Sequence, residues 1–175
     1  MNKKLKLDEL DRLSTEKYKQ IEKHPIVVVL NNIRSLNNVG SFFRTCDAFA
    51  IQELILTGIT ASPPHREIRK TALGATESVK WSYHKNCEKI VMEHKKRGFK
   101  IAAIEQTTES IGLHKFHYDK TPLLLIFGNE VEGVDQKLIE QCDFSIEIPQ
   151  FGTKHSLNVS VSAGIVLWHL IKKLV

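Results

Sequence analysis

The chain has 175 residues, and 42% of them are hydrophobic, which suits one globular domain with a single core. No uninterrupted apolar run approaches the roughly 20 residues of a membrane helix, and the charged start of the chain lacks the apolar segment of a signal peptide. The net charge of +5 mildly favours a polyanionic partner, although many small basic proteins bind no nucleic acid. Three widely spaced cysteines without a Cys-x-x-Cys pair, Cys46, Cys87 and Cys142, predict a reduced, cytoplasmic protein with buried thiols.

The first 24 residues are charged and carry apolar side chains at near-helical spacing, namely Leu7, Leu10, Leu13 and Ile21. This spacing predicts a peripheral amphipathic helix. Basic and acidic residues share the stretch, so a solvated face is favoured over a dedicated RNA-binding arm. We therefore predict a helical extension over residues 1–24 and a domain over residues 25–175.

From Pro25 onwards, short β-rich runs without clean alternation predict strands that are covered on both faces, as in a parallel sheet. These runs span residues 26–30, 53–57, 99–104, 123–127 and 144–148. Helical patterns fall between and after them, at residues 38–49, 65–73, 86–97, 132–141 and 157–173. Because strands and helices alternate throughout, the predicted fold class is α/β.

The first of three notable loops follows the strand at residues 26–30. Asn38 is a plausible N-cap there, Gly40 keeps the helix start uncrowded, and Arg44 lies further along the helix. Since six positions separate them, Asn38 is expected to act from the loop and Arg44 from the helix. A helix N-terminus with a nearby arginine suits an anion such as a phosphate, but a capping asparagine and a salt-bridged arginine fit the pattern equally well.

The second loop, residues 128–133, follows the strand at residues 123–127. Gly128 and Gly133 permit tight turns, and Glu130 lies where carboxylates often orient ligands. The alternative is that Glu130 caps or pairs only within its own loop. Two glycines at this spacing do not make a dinucleotide fingerprint, which weakens a dehydrogenase hypothesis, and the absence of a P-loop motif excludes a P-loop NTPase.

The third loop begins where Ile148 and Pro149 end a strand. Ser156 is predicted to be the N-cap of the final helix, with Asn158 in its first turn. That helix is strongly apolar, so it is expected to pack in a core or a subunit interface. Histidines elsewhere lack the spacing of zinc ligands, and no metal site is predicted.

Together and in this order, the three loops resemble the motifs of the SpoU/TrmH family of SPOUT RNA methyltransferases. The first motif is matched by Asn38, Gly40, Ser41, Arg44 and Thr45. The second is matched by Gly128, Asn129, Glu130 and Gly133. The third is matched by Ile148, Pro149, Gly152, Ser156, Leu157, Asn158, Val159 and Ser160. The likeness spans roughly residues 25–173, with small departures at Gln150 and Ser162.

The resemblance implies a parallel α/β sheet with a deep C-terminal trefoil knot, and a homodimer whose active site lies at the subunit boundary. It implies transfer of a methyl group from S-adenosylmethionine to a ribose 2′-hydroxyl of tRNA or rRNA. The cofactor-binding residues that it implies are Ile104, Gly128, Asn129, Glu130, Ile148 and Leu157. The catalytic residues that it implies are Arg44, Asn38, Glu130, Ser156 and Asn158.

Among these residues, Arg44 is expected to clamp the substrate phosphate and stabilise a developing alkoxide, because a guanidinium rarely gives up its proton. Asn38 is expected to orient the ribose or Arg44, and Glu130 to hold Asn38, Arg44 or the loop. Ser156 and Asn158 are expected to close the cofactor loop and position Arg44.

The candidate RNA-binding residues are Arg34, Arg66, Arg69 and Lys70, although a solvated helix face has the same pattern. The sequence has no separate RNA-binding domain, which weakly favours a compact RNA such as a tRNA. The alternative to an enzyme is a non-catalytic RNA-binding or assembly factor on the same fold.

Overall fold

The structure, a computed structural model, describes residues 2–172 apart from the side chains of Leu7 and Asp8. Its strands are β1 (His24–Asn31), β2 (Ile51–Thr57), β3 (Trp81–His84), β4 (Lys100–Ile104), β5 (Ile111–Gly112), β6 (Leu123–Phe127) and β7 (Phe144–Glu147). They form a seven-stranded sheet in the order β3-β2-β1-β6-β4-β7-β5, and every pairing is parallel. The predicted α/β class with a parallel sheet is confirmed.

The α-helices are α1 (Thr15–Gln20), α2 (Leu36–Ala48), α3 (Arg66–Ala72), α4 (Ala75–Ser78), α5 (Cys87–Lys96), α6 (Gln136–Ile139) and α7 (Val159–Ile171). Short 3₁₀ turns occupy Leu7–Leu10 and Leu113–Lys115. None of the helices within residues 2–172 is long and apolar enough to cross a membrane.

The five predicted strands are all present, whereas β3 and β5 were not predicted. Both are short strands at the two edges of the sheet, where half-exposed residues replace a continuous apolar run. The predicted N-terminal helix is instead a 3₁₀ turn followed by α1, and the helix predicted over residues 132–141 shortens to the four residues of α6. The predicted end of the final helix at residue 173 and the side chain of Leu7 lie outside the described residues.

Helices cover both faces of the sheet, as continuous apolar strands require. Val28 and Leu30 of β1 pack with α2, α3 and α7, while Val27 and Val29 pack on the opposite face with α5 and α6. The N-terminal segment contacts α2, where the buried Tyr18 hydroxyl donates to the Cys46 carbonyl at 3.3 Å.

The two central strands β1 and β6 lead to opposite faces of the sheet. The chain leaves β1 for α2 on one face and leaves β6 for α6 on the other. Parallel sheets bind ligands in the crevice outside the carboxyl ends of strands at such a reversal. The loops that follow Asn31 and Phe127 therefore lie where a ligand site is expected.

Candidate active site

A cavity of about 660 Å³ opens at the carboxyl ends of β4, β6 and β7. Its volume lies in the usual range for small-molecule sites. All six predicted cofactor-binding residues line it: Ile104, Gly128, Asn129, Glu130, Ile148 and Leu157. Ser156 and Asn158 also line it, whereas Asn38 and Arg44 do not.

The 128–133 loop forms one wall of the cavity and is tightly closed on itself. Asn129 and Gly133 exchange two backbone hydrogen bonds of 2.9 Å, and the Asn129 side chain accepts from the amides of Val131 and Glu132. Gly133 has a φ of +70°, and a Cβ at Gly128 would lie 2.2 Å from the Gly133 carbonyl carbon. Both glycines are therefore required by the backbone, as the sequence predicted.

Glu130 joins this wall to the loop after β1. Its carboxylate accepts three hydrogen bonds of 3.0 Å, from the backbone amides of Arg34 and Ser35 and from Asn38 Nδ2. The predicted role of holding Asn38 fits this geometry, and the alternative of pairing only within its own loop is wrong. Partial burial raises the pKa of Glu130, but the three donors outweigh that effect, so the pKa lies below its usual value.

Asn38 lies inside α2 and not in the loop before it. Ser35 is the N-cap, and its hydroxyl accepts from the Asn38 amide at 3.3 Å. Asn38 is only 8% exposed, and its Oδ1 accepts from Asn158 Nδ2 at 3.2 Å and from Ser160 Oγ at 3.5 Å. The predicted loop position of Asn38 is therefore wrong, and its carboxamide is fixed at both ends.

The final helix, in contrast, begins later than predicted. Asn158 is the N-cap of α7, and its Oδ1 accepts from the amides of Ser160 and Val161. Ser156 is not the cap; it lies exposed in the preceding loop. Ser160 belongs to the site because its hydroxyl donates to Asn158 Oδ1 at 2.7 Å and lies 3.5 Å from Asn38 Oδ1, a role that was not predicted although the residue stands in the third motif.

Arg44 has a very different environment. It is exposed on α2, and its side chain makes no hydrogen bond or ion pair with any other described residue. The salt-bridged arginine that the sequence left open is therefore not observed. The guanidinium is available to a group outside the described chain.

The predicted RNA-binding residues Arg34, Arg66, Arg69 and Lys70 are all exposed, and none of them has an ion pair within residues 2–172. The last three lie on α3, which packs directly on α2. Gly40 permits this close approach, because a Cβ there would lie 2.4 Å from the Ile68 carbonyl oxygen. The predicted reason for Gly40, an uncrowded helix start, is thus replaced by helix–helix contact.

The charge of the cavity differs from that of the chain. Four glutamates line it, Glu105, Glu130, Glu132 and Glu147, and no lysine or arginine among the described residues does so. The chain as a whole carries +5. The cavity is therefore suited to a ligand that bears positive charge.

The model of the SpoU rRNA Methylase family matches residues 25–168. The chain belongs to this family. Its relatives include the tRNA (guanosine(18)-2′-O)-methyltransferase of Aquifex aeolicus, which is 34% identical over 149 residues, 82% of this chain and 67% of the relative. The 23S rRNA (guanosine-2′-O-)-methyltransferase RlmB of Neisseria meningitidis is 33% identical over 82% of this chain and 56% of the relative. The chain thus spans between about half and two thirds of the length of these curated relatives.

Solved structures agree with the fold. The A. aeolicus TrmH/SpoU tRNA modifying enzyme superposes with a TM-score of 0.79 at 28% identity, over 89% of this chain and 78% of that one. An AdoMet-bound rRNA methyltransferase from Sinorhizobium meliloti gives a TM-score of 0.81 at 26% identity, over 90% and 60% of the two chains. The sequence resemblance to the SpoU/TrmH family is confirmed.

Proposed function

We propose that this SpoU family chain is an S-adenosylmethionine-dependent RNA 2′-O-ribose methyltransferase that acts on tRNA or rRNA. The observation that carries the proposal is the linked set of Glu130, Asn38 and Asn158, which joins all three family motifs at the mouth of one cavity. A binding factor without catalysis has no need of side chains fixed in this way beside a cofactor-sized cavity.

The cavity fits S-adenosylmethionine in size and charge. The cofactor carries a sulfonium and an ammonium group beside one carboxylate, and its net positive charge suits a lining that contains four glutamates. Ile104, Ile148 and Leu157 supply apolar surface, and the 128–133 loop offers backbone groups. When bound, the cofactor supplies an electrophilic methyl group.

The residues around the cavity have distinct roles in the proposed reaction. Glu130 and Asn158 fix the Asn38 carboxamide, so Asn38 can orient the ribose or the arginine without paying for reorganisation. Arg44 binds the substrate phosphate and stabilises negative charge on the attacking oxygen, because a guanidinium is a planar, multidentate donor to such oxygens. Ser156 lines the cavity, where it can close the cofactor loop.

The active form is proposed to be a homodimer with the site at the subunit boundary. Val161, Ile165 and Trp168 recur at helical spacing on α7 and expose 50%, 38% and 54% of their surface. Such an apolar stripe is typical of a subunit interface. Arg44 lies outside its own chain's cavity, so a second copy is the natural source of the arginine that completes the site.

Several finer parts of the proposal rest on the sequence. They are the deep trefoil knot that the family resemblance implies, an N-terminal extension over residues 1–24 beside a domain over residues 25–175, and a weak preference for tRNA over rRNA. The exposed basic residues of α3, on the helix next to Arg44, provide a surface for the RNA backbone. Cysteines in the thiol form fit a cytoplasmic enzyme.

The proposal is tested by incubating the purified protein with methyl-labelled S-adenosylmethionine and total tRNA or rRNA. Label is expected in RNA, and mass spectrometry of the digested RNA should identify a 2′-O-methylnucleoside. Binding of S-adenosylmethionine without any labelled RNA would leave a cofactor-binding protein with another substrate. The absence of both would contradict the proposed function.

A further inference from the structure

The second wall of the cavity, residues 149–157, is held by very little. Gln150, His155, Ser156 and Leu157 contribute to the cavity lining, yet residues 151–157 are all exposed. A single hydrogen bond joins residues 149–157 to the rest of the described chain, from Gln106 Nε2 to the His155 carbonyl oxygen at 2.8 Å. Between its ends at Ile148 and Asn158, this wall is therefore bonded to the rest of the described chain through one side chain that follows β4.

Glu105, the residue before Gln106, holds the opposite wall of the cavity. Glu105 Oε2 accepts from the Val134 amide at 3.0 Å, and Glu105 Oε1 accepts from the Gln106 amide at 2.8 Å. The fit is close, because a Cβ at Gly133 would lie 2.2 Å from Glu105 Oε2. Glu105 thus occupies the space that a side chain at residue 133 would need.

β4 is well suited to anchor both contacts. It lies between β6 and β7 in the sheet, and Ile101, Ala102 and Ala103 are fully buried. Consecutive side chains at its end reach the two cavity walls, which themselves come from distant parts of the sequence. The separation of the walls is therefore set by the end of one rigid strand.

We propose that Glu105 and Gln106 are positioning residues that hold the two walls of the cofactor cavity at their binding separation. The proposal rests on the proposed function, since it takes S-adenosylmethionine as the ligand. Neither residue needs to touch the reacting atoms. When the Gln106 contact is lost, the 149–157 wall occupies open positions for part of the time, and the apparent affinity falls by the fraction of closed molecules.

The test compares Gln106→Met with a matched control, Gln141→Met. Methionine keeps the length of glutamine but cannot donate a hydrogen bond. Gln141 Nε2 also donates to a backbone carbonyl, that of Lys137 at 3.2 Å, and Gln141 does not line the cavity. Calorimetry with S-adenosylmethionine, hydrogen exchange of the cofactor-free proteins and thermal unfolding are measured for wild type and both variants.

Gln106→Met is expected to weaken cofactor binding by about tenfold and to speed exchange selectively in residues 149–157. The rate of methyl transfer at saturating cofactor should change less than the affinity, and the unfolding temperature should match that of the control. Unchanged affinity and unchanged exchange in 149–157 would overturn the proposal, as would an equal loss of affinity in Gln141→Met.

Glu105→Gln provides a second, independent arm. Its amide group directs a donor at one of the two backbone amides, so exchange should rise at Val134 and cofactor affinity should fall. If wild type itself fails to bind S-adenosylmethionine, the proposed function fails. If wild type binds, and Gln106→Met and Glu105→Gln bind equally well with unchanged exchange, only the positioning proposal fails.

Discussion

Two regions of the molecule that the family motifs place in one active site are organised in opposite ways. The cofactor side is a closed network, in which Glu130, Asn38 and Asn158 satisfy one another and the starts of two helices. The substrate side, Arg44 with the basic face of α3, is exposed and has no ion pairs within residues 2–172. We expect substitutions in the network to change the stability and order of the protein. Substitutions of the exposed cations should instead change contacts with RNA and with a second subunit.

The largest difference should come from separating the subunits. Trp168→Glu places a charge in the exposed apolar stripe of α7, and a buried unpaired charge opposes association. We expect light scattering to report a monomer whose methyl transfer falls at least about a hundredfold, the order lost when one transition-state donor is removed. Met92→Glu, at 52% exposure on α5 against 54% for Trp168, is the control and should remain dimeric. A folded, fully active monomer of Trp168→Glu would show that the site lies within one chain.

The next effect concerns pH and tests the ordered network. Because the folded pKa of Glu130 is lowered, its contribution to stability is present above the unfolded pKa of roughly 4.3 and is lost as the pH falls through the folded value. Glu130→Gln should therefore be less stable than wild type at pH 7, and the difference should shrink on acidification below about pH 4. Urea unfolding at a series of pH values measures this difference. A gap that stays constant or widens at low pH would contradict the assigned role.

The smallest effect should come from the basic face of α3. Arg69→Ala with Lys70→Ala removes two phosphate contacts, so the slope of log affinity for RNA against log salt should become shallower by about 1.5. Cofactor affinity should not change. Lys95→Ala with Lys96→Ala, two exposed lysines on α5 across the sheet, is the matched control. Equal slopes for the two double variants in a fluorescence anisotropy titration would remove α3 from the RNA surface.

The same contrast explains what could be predicted from the sequence. Buried central strands can be predicted because they are apolar runs, whereas the edge strands β3 and β5 have no such run. Both helix-start errors have one cause: neighbouring serine and asparagine residues compete as N-caps, and tertiary contacts decide between them. Ser35 caps α2, so that Asn38 turns inward, and Asn158 caps α7, so that Ser156 stays in the loop.

Contacts between residues that are far apart in the sequence could not be predicted either. The motifs identified Glu130 and Asn38, but no local pattern shows that the Glu130 carboxylate spans 92 positions to reach the Asn38 side chain. The contact between Gln106 and His155 cannot be predicted from the sequence for the same reason, because 49 positions separate the two residues. Arg44 was identified by its motif alone, since an exposed arginine has no packing signature.

The most direct test of the account mixes two variants, Arg44→Ala and Asn158→Ala. Each is expected to be nearly inactive alone, and Arg44→Ala should still bind S-adenosylmethionine with near wild-type affinity. If one subunit supplies Arg44 to the ordered network of the other, half of the randomly mixed dimers have one intact site of two, so about a quarter of wild-type methyl transfer should return. No recovery in mixtures shown to exchange subunits would contradict a shared site, and full activity of Arg44→Ala alone would contradict the catalytic role of the arginine.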